Sequence, residues 1–96
     1  MTALQRLHGK LIVSVQLPRD TLLGHPDAIA SLAVAAVAAG AGGLRIESVA
    51  NVRAVRARVN VPVIGIVKRE YDGFEPYITP ALLEVSEIME TGVEIV

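Results

Sequence analysis

The sequence predicts an α/β fold built on a parallel sheet, on three observations. Apolar runs of strand length alternate with helix-like stretches in the order β-α-β-α-β-α-β. The run at residues 61–68 fills both parities of a strand with β-formers, Val61, Val63, Ile64, Ile66 and Val67. That pattern suits a strand buried on both faces, as in α/β proteins, better than a half-exposed antiparallel one. The same run ends abruptly on Lys68. In α/β proteins the carboxyl end of such a strand is where ligands bind.

Each element has its own grounds. Residues 11–16 form a near-continuous apolar first strand. Pro26 and Asp27 open a helix, because proline fits the first helical position and an early acid suits the helix dipole. Ile29, Leu32, Ala33, Ala36 and Val37 give it one apolar stripe, and Gly40 is its natural stop. Gly40-Ala-Gly-Gly43 has the composition of a phosphate loop, but it runs from a helix into a strand, the reverse of a dinucleotide loop. It reads as a tight turn. A short second strand spans 43–46, and Ser48 caps a helix with Val52, Val55 and Val59 inward. Arg53, Arg56 and Arg58 lie between those valines and read as a solvated face. After the third strand and a loop at 70–78, Thr79 and Pro80 start a third helix with an inner stripe of Leu82, Val85 and Met89, stopped by Gly92. Residues 93–96 begin a fourth strand.

Composition excludes several functions. The net charge of −1 gives no electrostatic footprint for nucleic acid or an acidic membrane, and three aromatic residues offer few stacking platforms. With no cysteine, disulfides, thiolate catalysis and cysteine-based zinc sites are ruled out. His8 and His25 form no ligand spacing, so no metal site is expected. The uncharged stretch 28–44 falls short of the ~20 residues of a spanning helix and is broken by Gly40, Gly42 and Gly43. The N-terminus lacks a signal-peptide core. A soluble, cytoplasmic protein is expected, without nucleic-acid or membrane partners.

Three strand ends occur in order: Ile-Val-Ser-Val-Gln16, Gly-Leu-Arg45, and Pro-Val-Ile-Gly-Ile-Val-Lys68-Arg69, the last followed by Tyr71 and Tyr77-Ile-Thr-Pro80. From about Lys10 to Val96 this order resembles the N-acetylmannosamine-6-phosphate 2-epimerases, enzymes of amino-sugar and sialic-acid catabolism. The resemblance implies a (β/α)8 TIM barrel of more than twice this length. Residues 1–96 would then be its N-terminal portion, a partial barrel domain of about three βα units and the fourth strand. It further implies that Lys68 is the acid/base, that Gln16 and Arg45 contact the substrate, and that no metal or organic cofactor takes part. The reaction inverts the carbon bearing the acetamido group, whose C–H is acidified by the neighbouring carbonyl in the open-chain aldehyde. A lysine acting as base needs its charged form disfavoured, which burial and a nearby cation such as Arg45 both do.

Side-chain alternation agrees with that assignment. Ser14 shares a strand face with Gln16, and Ile64 and Ile66 share one with Lys68. Gln16, Arg45 and Lys68 are expected to meet at one rim, each from a different strand. Glu47, two residues after Arg45, reaches toward that rim but is not read as a substitute acid. Leu17 and Ile46-Glu47 stand where the family often has an alanine and a small amide. The family's second proton-relay glutamate and its phosphate contacts come from later strands. A polypeptide of these 96 residues is therefore expected to be inactive and to self-associate, with Val13, Ile64 and Ile66 exposed on the barrel-facing surface. A small sugar phosphate is the expected ligand and a homo-oligomer the expected state. Two other readings stay open: a non-catalytic α/β module that pairs through open sheet edges, and a Schiff-base sugar-phosphate lyase. Failure to trap Lys68 with borohydride argues against the lyase.

Overall fold

Residues 2–17, 21–68 and 82–96 are described by a computed structural model. The expected loop at 70–78 and the Thr79-Pro80 helix start lie outside the described residues, as does the side chain of Leu82.

The strands are β1 (Ile12–Val15), β2 (Gly43–Glu47) and β3 (Val63–Ile66), and they form one parallel sheet in the order β1-β2-β3. The expected fourth strand is present as a parallel bridge between Ile64 and Ile95, held by Gly65 N–H donating to the Ile95 carbonyl at 2.8 Å. A short helix the sequence reading did not anticipate, α1 (Ala3–Leu7), precedes the sheet. It is started by a capping box between Thr2 and Gln5.

Helices α2 (Pro26–Ala38) and α3 (Val49–Arg56) connect successive strands, and α4 (Leu82–Met89) follows β3. They cover one face of the sheet. Register places Val13, Leu44 and Val63 in one row of that face and Val15, Ile46 and Gly65 in the next. Ile29 and Ala33 of α2, Val52 and Val55 of α3, and Ile88 of α4 complete a closed apolar core there. Each fully buried Ile, Leu or Val contributes roughly 1.5–3 kcal/mol, so this layer holds the strands in place. The alanines of α2 suit close packing, and its end is a Schellman motif: Ala41 N–H donates to Ala36 O and Gly40 N–H to Val37 O, with Gly40 at φ +114°. The glycine cluster is thus the expected turn.

Several expectations are corrected. Val13 points to the helix side, because it shares a row with Leu44 and Val63, so it is not an inner-face residue. Ile66 does lie on the inner face but is buried, and Ile64 is half-buried. The buried face of α4 is carried by Glu84 and Ile88 with Val85 at its margin, while Met89 is exposed. The helix is rotated by about one residue from the stripe the apolar pattern suggested. Leu32 of α2 is also exposed, on the flank beside the open edge of β1. Of the three arginines, Arg53 and Arg58 are exposed, whereas Arg56 is pinned: it donates to the Val61 carbonyl and pairs with Glu94 at 3.1 Å. None of the described helices is long and apolar enough to cross a membrane.

Candidate functional site

The second sheet face carries the polar residues. Ile12, Ser14 and Gln16 alternate onto it from β1, then Gly43, Arg45 and Glu47 from β2, and Ile64, Ile66 and Lys68 from β3. No described helix packs over its carboxyl half. At the amino end α1 closes it: Leu7 Cδ2 packs so close to Gly43 that a Cβ there would force the leucine side chain to shift.

Register sorts these residues by height. Ser14, Arg45 and Ile64 form one row, and Ile95 extends it. Glu47 and Ile66 form the next, and Gln16 reaches the same level by continuation of the β1–β2 pairing. Lys68 stands one row higher again. Gln16, Arg45 and Lys68 therefore share a face, as alternation predicts, but not a level. Arg45 starts four residues below Lys68, roughly 13 Å along the strand at about 3.3 Å per residue. Arg45 is half-buried at that lower level. Gln16 Nε2 donates to Ser14 Oγ at 2.7 Å, which fixes its amide along the face. The Lys68 side chain is exposed, so the burial expected to disfavour its charge is not supplied by the described residues.

From the neighbouring strand β2, Glu47 contacts Lys68. Its side chain is buried, and its Oε2 accepts the Lys68 backbone N–H at 3.4 Å. Below it the backbone is held tightly. Asn51 Nδ2 donates to the Glu47 carbonyl at 3.0 Å, and Ser48 N–H donates to the Ile66 carbonyl at 2.8 Å. Ser48 itself sits at φ +77°, ψ 148°, a region costly for any residue with a Cβ. Its Oγ caps α3 by accepting from Asn51 N–H. Backbone strain is thus stored at the carboxyl end of β2, where the chain turns sharply from strand into helix.

Two hollows lie near these strand ends. A cleft of about 390 Å³ opens where α2 and α3 begin, lined by Gly24, His25, Ser48, Asn51, Val67 and Glu87 among others. It lies on the helix side, and none of Gln16, Arg45, Glu47 or Lys68 lines it. A shallower groove of about 280 Å³ follows the open edge of β1 between Val13, Gln16, Leu17 and Leu32. Among the described residues no cluster of His, Asp and Glu is arranged to hold a metal ion.

Comparison with known proteins agrees with this architecture. The family model described as "Putative N-acetylmannosamine-6-phosphate epimerase" matches residues 29–96. Relatives named for N-acetylmannosamine-6-phosphate 2-epimerase include one from Listeria innocua, 43% identical over 99% of this chain and 41% of its own length. Another, from Synechococcus elongatus, is 47% identical over 97% of this chain and 40% of its own. The solved structure of the N-acetylmannosamine-6-phosphate 2-epimerase from Clostridium perfringens superposes with a TM-score of 0.93 at 35% identity, covering 98% of this chain and 41% of that one. The chain thus spans about two fifths of the length of these relatives. Its parallel βα units are the N-terminal part of a (β/α)8 barrel, the helices on the outside and the Arg45–Glu47–Lys68 face inward. With a family match over most of its residues, the chain belongs to the N-acetylmannosamine-6-phosphate epimerase family.

Proposed function

We propose that the complete protein is an isomerase that interconverts N-acetylmannosamine 6-phosphate and N-acetylglucosamine 6-phosphate by removing and returning a proton at C2. This chemistry belongs to amino-sugar and sialic-acid catabolism and runs in the cytoplasm. The observation that carries the reading is the place of Lys68 in a chain of this family. It follows the carboxyl end of β3, on the inner face that also bears Gln16, Arg45 and Glu47. Barrel enzymes assemble their sites at that end from several strands.

In this reading Lys68 Nζ, in its neutral form, takes the C2 proton from one face of the open-chain sugar. The electron pair moves into the neighbouring carbonyl as an enolate. A proton returned to the opposite face of C2 completes the inversion, and the second carrier comes from outside the described residues. Arg45 supplies positive charge below the reacting carbon, favouring the anionic intermediate, and Gln16 offers its amide to the substrate. Residues 1–96 contribute to a single barrel domain, and the protein works as a homo-oligomer.

The experiment is proton NMR of N-acetylmannosamine 6-phosphate with the complete protein in D₂O. Appearance of N-acetylglucosamine 6-phosphate deuterated at C2 is the expected result. Failure to convert the sugar, or conversion with full retention of the C2 proton, would remove the proposed chemistry.

A further inference from the structure

We propose that Glu47 is a positioning residue for Lys68, its carboxylate standing in for a missing strand carbonyl at the end of the β2–β3 ladder. The inference rests on the epimerase reading for its consequence in catalysis, but the contact itself is a matter of structure. In a parallel pair, backbone bonds alternate along the two strands. Ser48 N–H donates to the Ile66 carbonyl, so the next bond in the ladder would run from Lys68 N–H to the Ser48 carbonyl. That carbonyl has been taken away. Ser48 turns at φ +77°, and its carbonyl accepts Val52 N–H in the first turn of α3. Without a substitute, the ladder would stop at Ile66, and the backbone carrying Lys68 would be held only from one side.

Glu47 fills the gap. It is the last residue of β2, pairs with Ile66, and directs its side chain onto the inner face toward the next row. Its Oε2 accepts the Lys68 N–H, extending the ladder through a side chain. Glu47 is a buried residue and the contact is part-buried, so water is partly excluded from a hydrogen bond whose acceptor is a carboxylate. Asn51, itself buried, fixes the Glu47 carbonyl and so sets the direction from which the carboxylate starts. The alignment of the Lys68 stem with the reacting carbon is therefore set two strands' ends at once, by β3 and by Glu47.

The test compares Glu47→Ala and Glu47→Gln with the parent in the complete protein. Glu47→Gln keeps an acceptor oxygen at nearly the same place, whereas Glu47→Ala removes it. Amide hydrogen exchange is read at Lys68 and, as an internal control, at Gly65, whose N–H is held by Ile95. Solvent-deuterium incorporation into N-acetylmannosamine 6-phosphate gives kcat and KM. For Glu47→Ala the Lys68 amide is expected to exchange at least about tenfold faster with Gly65 unchanged. Its kcat should fall on the order of 10- to 100-fold with KM within about twofold, the size of loss that a misplaced catalytic group produces. Glu47→Gln should restore both amide protection and kcat to within about threefold. Unchanged Lys68 exchange in Glu47→Ala would overturn the inference. So would a folded Glu47→Gln as impaired as Glu47→Ala, which would assign the effect to charge rather than to the bond. If the parent protein exchanges no substrate proton, the epimerase reading fails, and the amide exchange alone decides whether Glu47 holds Lys68.

Discussion

Glu94 makes two contacts that can be separated by substitution. Its Oε2 accepts Val63 N–H at 2.9 Å, and its Oε1 pairs with Arg56 at 3.1 Å, both side chains about three quarters buried. Val63 has no exposed surface, so Glu94→Ala takes the acceptor from its N–H at a part-buried site. An unsatisfied buried donor costs about 1–3 kcal/mol. Loss of a partly exposed ion pair adds about 0.5–1 kcal/mol. The expected destabilisation for Glu94→Ala is therefore about 1.5–4 kcal/mol. Glu94→Gln keeps an oxygen for Val63 and loses only the ion pair, so about 0.5–1 kcal/mol is expected. Urea unfolding of the complete protein measures both, read as midpoint shifts at constant m. Equal losses in the two variants would refute the assignment of most of the effect to the Val63 N–H. Losses below about 0.5 kcal/mol in both would refute the clamp altogether.

Gly65→Ala should destabilise by about 1–3 kcal/mol, because its Cβ would stand 2.7 Å from Ile88 Cγ1 and 3.0 Å from Val93 Cγ1 in a filled core. Thermal unfolding reads the loss, and a neutral effect would show that the contact between β3 and α4 is looser than described. Ile88→Ala should cost about 2–5 kcal/mol and Met89→Ala under about 0.5 kcal/mol, since the first is fully buried and the second exposed. The reverse order in denaturant unfolding would return α4 to the phase its apolar residues suggest.

The strand and helix order was legible because burial writes itself into composition. Residues 61–68 could hardly be anything but an inner strand. The α2 and α3 stripes were legible for the same reason, apart from Leu32, which is exposed beside the open edge of β1. The phase of α4 was not, because Glu84 is fully buried while Met89 is exposed, against the usual sorting of those residue types. Helix α1 was missed although its signal was present: Thr2 and Gln5 stand at capping-box spacing.

The candidate site was legible in its face but not in its heights. Alternation puts Ser14 with Gln16 and Ile64 with Lys68 whatever the sheet does. The level of Arg45 depends on inter-strand register, which places it opposite Ser14 and Ile64 and which alternation within one strand does not reveal. Glu47 was placed near that rim, but its hold on the Lys68 backbone was hidden for a related reason. Its contact with Lys68 exists because Ser48 leaves the strand at positive φ, and no composition signal marks a serine for that conformation.

The most direct test of the central claim is solvent-deuterium incorporation at C2 of N-acetylmannosamine 6-phosphate by Lys68→Ala in the complete protein. Circular dichroism and urea unfolding of the same sample establish that the barrel is intact. The account predicts a fall of about 10²- to 10⁴-fold, the usual contribution of a general acid or base. Lys68→Arg should fail alike, because a guanidinium stays protonated. Undiminished exchange in a folded Lys68→Ala variant would contradict the account.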